Sequence, residues 1–151
     1  MAFKNIIIKG KSHGTIEGTG TAGGTITPGY LVNLSDKTAV VADDRAAQNV
    51  EKAFAIENDG IGDDIDEDYA LADTMRFVLC QTGVEIFALV AALATAVTAG
   101  AALESAGDGT LRLHTVLSTG SIYTNAIVAF AEEAVDNSAG TAEARIQVRV
   151  A

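Results

Sequence analysis

The chain has 151 residues, 48% of them hydrophobic, with 20 acids against 10 bases and a formal net charge of -10. This is about one domain with enough apolar material for a core, which excludes a disordered segment, and the acidic balance argues against a nucleic-acid binder, since affinity for phosphate backbones comes mostly from Lys and Arg. Cys80 is the single cysteine, so an internal disulfide and a Cys-based zinc site are excluded, and His13 and His114 leave little for a His-rich metal site.

Residues 1–27 stand apart in composition. The run Ile6-Ile7-Ile8 is too short for the apolar region of a signal peptide. Lys4, Lys9 and Lys11 precede the first acid, Glu17, and glycines at 14, 18, 20, 23 and 24 follow among threonines. Two readings fit this segment: a terminal tail without structure, or an arm that becomes extended against a partner surface. Thr and Ile favour extended backbone, and three successive isoleucines suit a partner surface better than water. The Gly18–Gly23 stretch matches G-x-G-x-x-G, yet no helix start is apparent behind it, so it is not read as a phosphate loop.

Pro28-Gly29 is a turn pair and opens the body, expected to run over residues 28–151. Alternating or buried-strand patterns follow at 30–34, 39–42, 51–57, 75–81, 84–90, 111–117, 126–131 and 145–150, with turns between them. The expected fold is mainly β: a small barrel-like or tulip-like body with at most one or two short helices. Asp43 to Val50 is a candidate for one or two helical turns, and Ala91 to Ala99 is open between helix and strand. Ile86 to Leu103 is free of charge over 18 residues, but eight are Ala and no Lys or Arg flanks it, so it is read as buried core and not as a membrane span. The chain also carries a faint internal repeat. A Gly turn at Thr27–Leu31 leads to Ala53-Phe54-Ala55, and a Gly turn at Thr98–Leu103 leads to Ala129-Phe130-Ala131.

Chemistry is sparse. His114 reads as an ordinary strand histidine, Cys80 as a buried thiol, and no nucleophile elbow is present. From Glu57 to Asp73 there are eight acids and no base. Asp64, Asp66 and Asp68 have the 1-3-5 spacing of a calcium loop, but Tyr69 and Met75 stand where an EF-hand needs Gly and Glu. The segment Asp59–Asp73 is therefore expected to face solvent and to need no metal. No catalytic residue and no cofactor is expected, and the chain is not read as an enzyme.

The order of these features resembles the head decoration, or cement, proteins of tailed bacteriophages. The residues that carry the likeness are the Gly-rich start, Ala53–Asn58, the acidic loop to Asp73, Val97–Gly100, Ser105–Leu111, Ala126–Glu133 and Arg145–Val150. The chain departs from that family's pattern at Ala101, where an acid usually follows the glycine. The resemblance implies a homotrimer on the outer surface of the virion capsid, made in the host cytoplasm, that clamps neighbouring major capsid proteins. It implies no nucleic-acid and no membrane partner. It also implies a capsid-binding arm within residues 3–27, here assigned to Phe3, Lys4, Ile6, Ile7, Ile8, Lys9, Lys11, Thr15 and Ile16. The alternative is a carbohydrate- or host-binding β module, a virion adhesin or lectin, for which Tyr30, Tyr69 and Tyr123 are the only tyrosines available to stack on a sugar.

Overall fold

The computed structural model describes residues 5–10, 14–115 and 126–151. The strands are β1 (Ile7–Lys9), β2 (Thr15–Thr21), β3 (Val32–Asn33), β4 (Val41–Ala42), β5 (Ala53–Ile56) and β6 (Thr74–Cys80). They continue with β7 (Glu85–Val90), β8 (Ala102–Ser105), β9 (Leu111–Leu113), β10 (Ile127–Ala131) and β11 (Ala144–Val150). The fold is mainly β with a barrel-like body, as its alternating apolar patterns require.

The second half closes into a ring. Strands run β7-β11-β10-β8-β9, and a parallel pairing of Val90 with Leu111 joins β9 back to β7. The first half repeats this plan. The sheet β2-β6-β5 and the hairpin β3-β4 are joined by a bridge from Leu31 to Phe54, and a parallel bridge from Ala22 to Val40 closes the ring. Strand by strand, β2–β6 corresponds to β7–β11.

The Gly turns of the two units dock in the same way. Tyr30 N donates to Thr27 O at 3.0 Å, and Ala101 N donates to Thr98 O at 3.1 Å. Gly29 N donates to Ala55 O at 2.8 Å, and Gly100 N donates to Ala131 O at 2.7 Å. Ala55 N and Ala131 N return bonds to Tyr30 O and Ala101 O, both at 2.9 Å. Gly29 has φ 100° and Gly100 has φ 83°, conformations that a side chain would strain. The faint sequence repeat is therefore a repeat of structure, and each unit closes its own ring.

One cluster of buried side chains fills the first ring: Ala22, Ile26, Val32, Val40, Ala53, Ala55, Tyr69, Met75 and Phe77. The other faces of β5 and β6, bearing Phe54, Ile56, Val78 and Cys80, join a larger cluster with Ile86, Leu103, Leu111, Ile146 and Val148. β5 is thus buried on both faces, which explains its unbroken apolar run. The same holds for most of β7 and β10, so their second apolar faces are covered within the chain.

Three expectations need correction. The described part of residues 5–27 is not a separate arm: β1 pairs with β7, β2 forms a full wall of the first ring against β6, and Ala22 and Ile26 are buried. Glycines of this segment allow close approach of neighbouring segments of the fold. A Cβ on Gly20 would stand 2.8 Å from Val40 Cγ2, and one on Gly14 would stand 2.6 Å from Val84 Cγ2. Asp43 to Val50 forms no helix. Ala47 there has φ 54°, and the Asp43 carboxylate, free in principle to cap a helix, is taken by Arg45 and Ser105. Ala91 to Ala99 is neither regular helix nor strand: a turn with Leu93 at φ 55° leads to a single bridge from Val97 to Val135. Among the described residues no helix is long and apolar enough to cross a membrane, and Ile86–Leu103 instead supplies β7, this turn and the start of β8.

Candidate functional site

The residues assigned to a capsid-binding arm do not lie together. Phe3, Lys4 and Lys11 lie outside the described residues. Ile6 is fully buried in the larger core, and its N–H donates to the buried Glu57 Oε2 at 2.9 Å. Ile7 pairs with Ile86 and, like Ile8 and Thr15, is half-buried. Ile6 to Ile8 are thus used inside the chain. Of the described residues in this set, Lys9 and Ile16 face outward. Lys9 Nζ sits 3.0 Å from Glu85, and Ile16 is 62% exposed on β2.

Two clusters are built around buried carboxylates. Asp43 is fully inaccessible. Its carboxylate accepts from Arg45 Nε at 2.6 Å and from Ser105 Oγ at 2.7 Å, so it ties the end of β4 to the end of β8. Glu104, on β8, is also buried. It accepts from Arg112 Nε at 2.9 Å and lies 2.8 Å from His114 Nδ1. A buried carboxylate needs such partners, because desolvation of an unpaired charge is costly. In the first cluster both the Ser105 hydroxyl and the Asp43 carboxylate are closed off from solvent. Burial pushes the Cys80 thiol up to about 12, which keeps it protonated and poorly reactive.

The outward chemistry lies on the connections that follow β5 and β10 at equivalent places in the two units. Residues 57–73 carry eight acids, and residues 132–143 carry Glu132, Glu133, Asp136 and Glu143. Asp66 and Asp68 of the first and Ala142 and Glu143 of the second line one cleft. Arg145 donates to Ile65 O and to Pro28 O, with Asp66 Oδ1 at 3.4 Å, and Tyr30 Oη donates to Glu143 at 2.6 Å. Burial and that hydrogen bond push the Tyr30 phenol up to about 12. A hydrogen bond with Asp63 holds the Glu67 carboxyl above its usual range, as expected where like charges crowd. Among the described residues no group of three or more His, Cys, Asp or Glu is arranged to hold a metal ion. Beside these acids stand two large apolar side chains, Ile61 at 73% and Leu71 at 69% exposure. Sequence reasoning noted the acids and passed over Ile61, although an isoleucine between Gly60 and Gly62 has no strand to bury it.

No protein-family model matches the chain, and no curated protein sequence matches it. Among solved structures, it is similar to the head fiber gp8.5 N base of bacteriophage phi29. The TM-score is 0.56 at 11% identity, over 91% of this chain and 94% of that one. At that identity the likeness is one of fold, and it spans both repeat units.

Proposed function

We propose that the chain is a structural protein of a tailed-phage head, bound to the outside of the capsid as a homotrimer that ties neighbouring major capsid proteins together. The observation that carries this reading is the shared fold with a phage head fiber base, over nearly the whole of both chains. The composition agrees with it. A protein of net charge -10 outside the shell stays away from the packaged genome, and adding contact area between capsomers needs no catalytic group. Many copies on one shell act together, so modest affinity per copy is sufficient. The trimer is what the resemblance to decoration proteins implies.

Co-sedimentation of the purified chain with capsids lacking it tests binding, and analytical ultracentrifugation tests the trimer. Saturable binding that raises the temperature of capsid rupture is the expected result. A chain that stays in the supernatant overturns the proposal. The second reading, a host- or carbohydrate-binding module at the base of a projecting fibre, is favoured by the neighbour's description as a fiber base. Capsids that bind the chain without any gain in stability would support it.

A further inference from the structure

We propose that the cleft lined by Ile61, with Leu71 exposed on the turn between its lining residues Tyr69 and Asp73, docks a segment of a different protein in which Lys or Arg alternates with aliphatic residues. This rests on the reading of the chain as a binding protein of the phage head, and adds the surface and its partner's chemistry. Within the 57–73 connection, against the start of β6, lies a cleft of about 300 Å³, with Ile61, Tyr69, Asp63, Asp68 and Asp73 in its lining. Asp73 also closes the neighbouring turn: its carboxylate accepts from Ala70 N at 2.8 Å, and its N–H donates to Ala70 O at 3.1 Å. That turn holds Leu71 in water beside Ala72, which adopts φ 72°. A second cleft, of about 420 Å³, shares Asp68, so the two adjoin there; its other charged lining residues are Asp66, Glu143 and Arg145.

Charge complementarity selects the occupant. Asp63, Asp68 and Asp73 have no ion-pair partner among the described residues, since Arg76 is held by Glu17 and Asp59, and Arg145 by Asp66 and two carbonyls. A basic side chain in the cleft would neutralise them, while its aliphatic neighbours cover Ile61 and Leu71. A second copy of this chain is a poor occupant. All five of its arginines are already paired with its own acids, so it offers no free guanidinium to this acidic face. The aliphatic pair also separates this surface from a plain acidic face, which would attract any cation.

The test is a titration of the isotope-labelled full chain, followed by NMR, with three synthetic peptides: alternating Leu-Arg, alternating Ser-Arg and alternating Leu-Glu. Saturable shifts of the Ile61 and Leu71 methyls with Leu-Arg alone are expected, weakened about tenfold in the Ile61→Ser/Leu71→Ser variant and by added salt. A Tm near the parent's confirms that the variant is folded, since both side chains are exposed. A triple Asp63→Asn/Asp68→Asn/Asp73→Asn variant provides the second arm and should lose binding as well. Equal affinity for Ser-Arg, shifts centred elsewhere, no binding, or stoichiometric displacement of Leu-Arg by calcium would each overturn the proposal. Capsid co-sedimentation is read separately, so peptide failure with intact capsid binding rejects this surface and leaves the proposed function standing.

Discussion

Gly18 lies directly opposite Phe77 across β2 and β6, so close that a Cβ on Gly18 would stand 2.6 Å from the ring. The second unit fills the same position differently: Ile86 on β7 faces Val148 on β11. One ring packs nothing against an aromatic, and the other packs two branched aliphatics. Gly18→Ala should therefore overpack the first ring and cost about 1–3 kcal/mol, whereas Gly24→Ala, with open space around it, should stay within about 0.5 kcal/mol. Urea unfolding midpoints check this, and Gly18→Ala combined with Phe77→Val should recover part of the loss. Equal midpoints for the two single variants would show that the approach of β2 is slack.

The N-terminal residues hold the body together. Ile6→Ala should cost about 2–5 kcal/mol, because the side chain is fully buried in the larger cluster. Removal of residues 1–27 should abolish cooperative thermal unfolding, since it deletes β1 and the β2 wall. A truncated chain that melts cooperatively near the parent Tm would restore the separate arm that the composition implied.

Arg45 and Asp43 make an unequal pair. Asp43 is fully buried, whereas the Arg45 side chain is 29% exposed, with its Nη2 buried and making no hydrogen bond. Arg45→Ala leaves a buried anion with Ser105 as its remaining side-chain donor, so it should cost roughly 3–5 kcal/mol. Asp43→Asn, which keeps the acceptor for Ser105, should cost clearly less. Denaturant titration of both variants decides this, and the reverse order would mean that Asp43 does not need its charge partner.

Alkaline pH should destabilise the fold through Cys80. Burial raises its pKa from 9.0 to about 12, so the folded state favours the neutral thiol. The stabilisation is complete below pH 9 and is lost as pH rises toward 12. Melting curves between these limits should slope downward, and the Cys80→Ala variant should show a shallower slope. A thiol reagent at pH 8 should label Cys80 only in denaturant; rapid labelling of the native chain would contradict its burial.

Strands were legible where one face alternates. Met75, Phe77 and Leu79 pointed to β6, and Ile146, Val148 and Val150 to β11. β8 was missed because Leu103, Glu104 and Ser105 are all buried, and the partners that admit Glu104 stand on or beside β9, out of local view. β2 was missed for a related reason. Glycine is a flexible residue by itself, and only the neighbouring Phe77 and Val40 make it necessary there. The acids of 57–73 were plain in composition, but the exposure of Ile61 and Leu71 depends on the turns that carry them. The paired Ala-Phe-Ala runs were the most informative local signal, since each docks a Gly turn through its closing alanine.

The most direct test of the proposed function is image reconstruction of capsids encoded by the same genome, prepared with and without this chain. The account predicts added density on the outer surface at local three-fold positions, fitted by three copies of the two-ring body and touching adjacent capsid subunits. Particles whose outer surface is identical in the two reconstructions would contradict it.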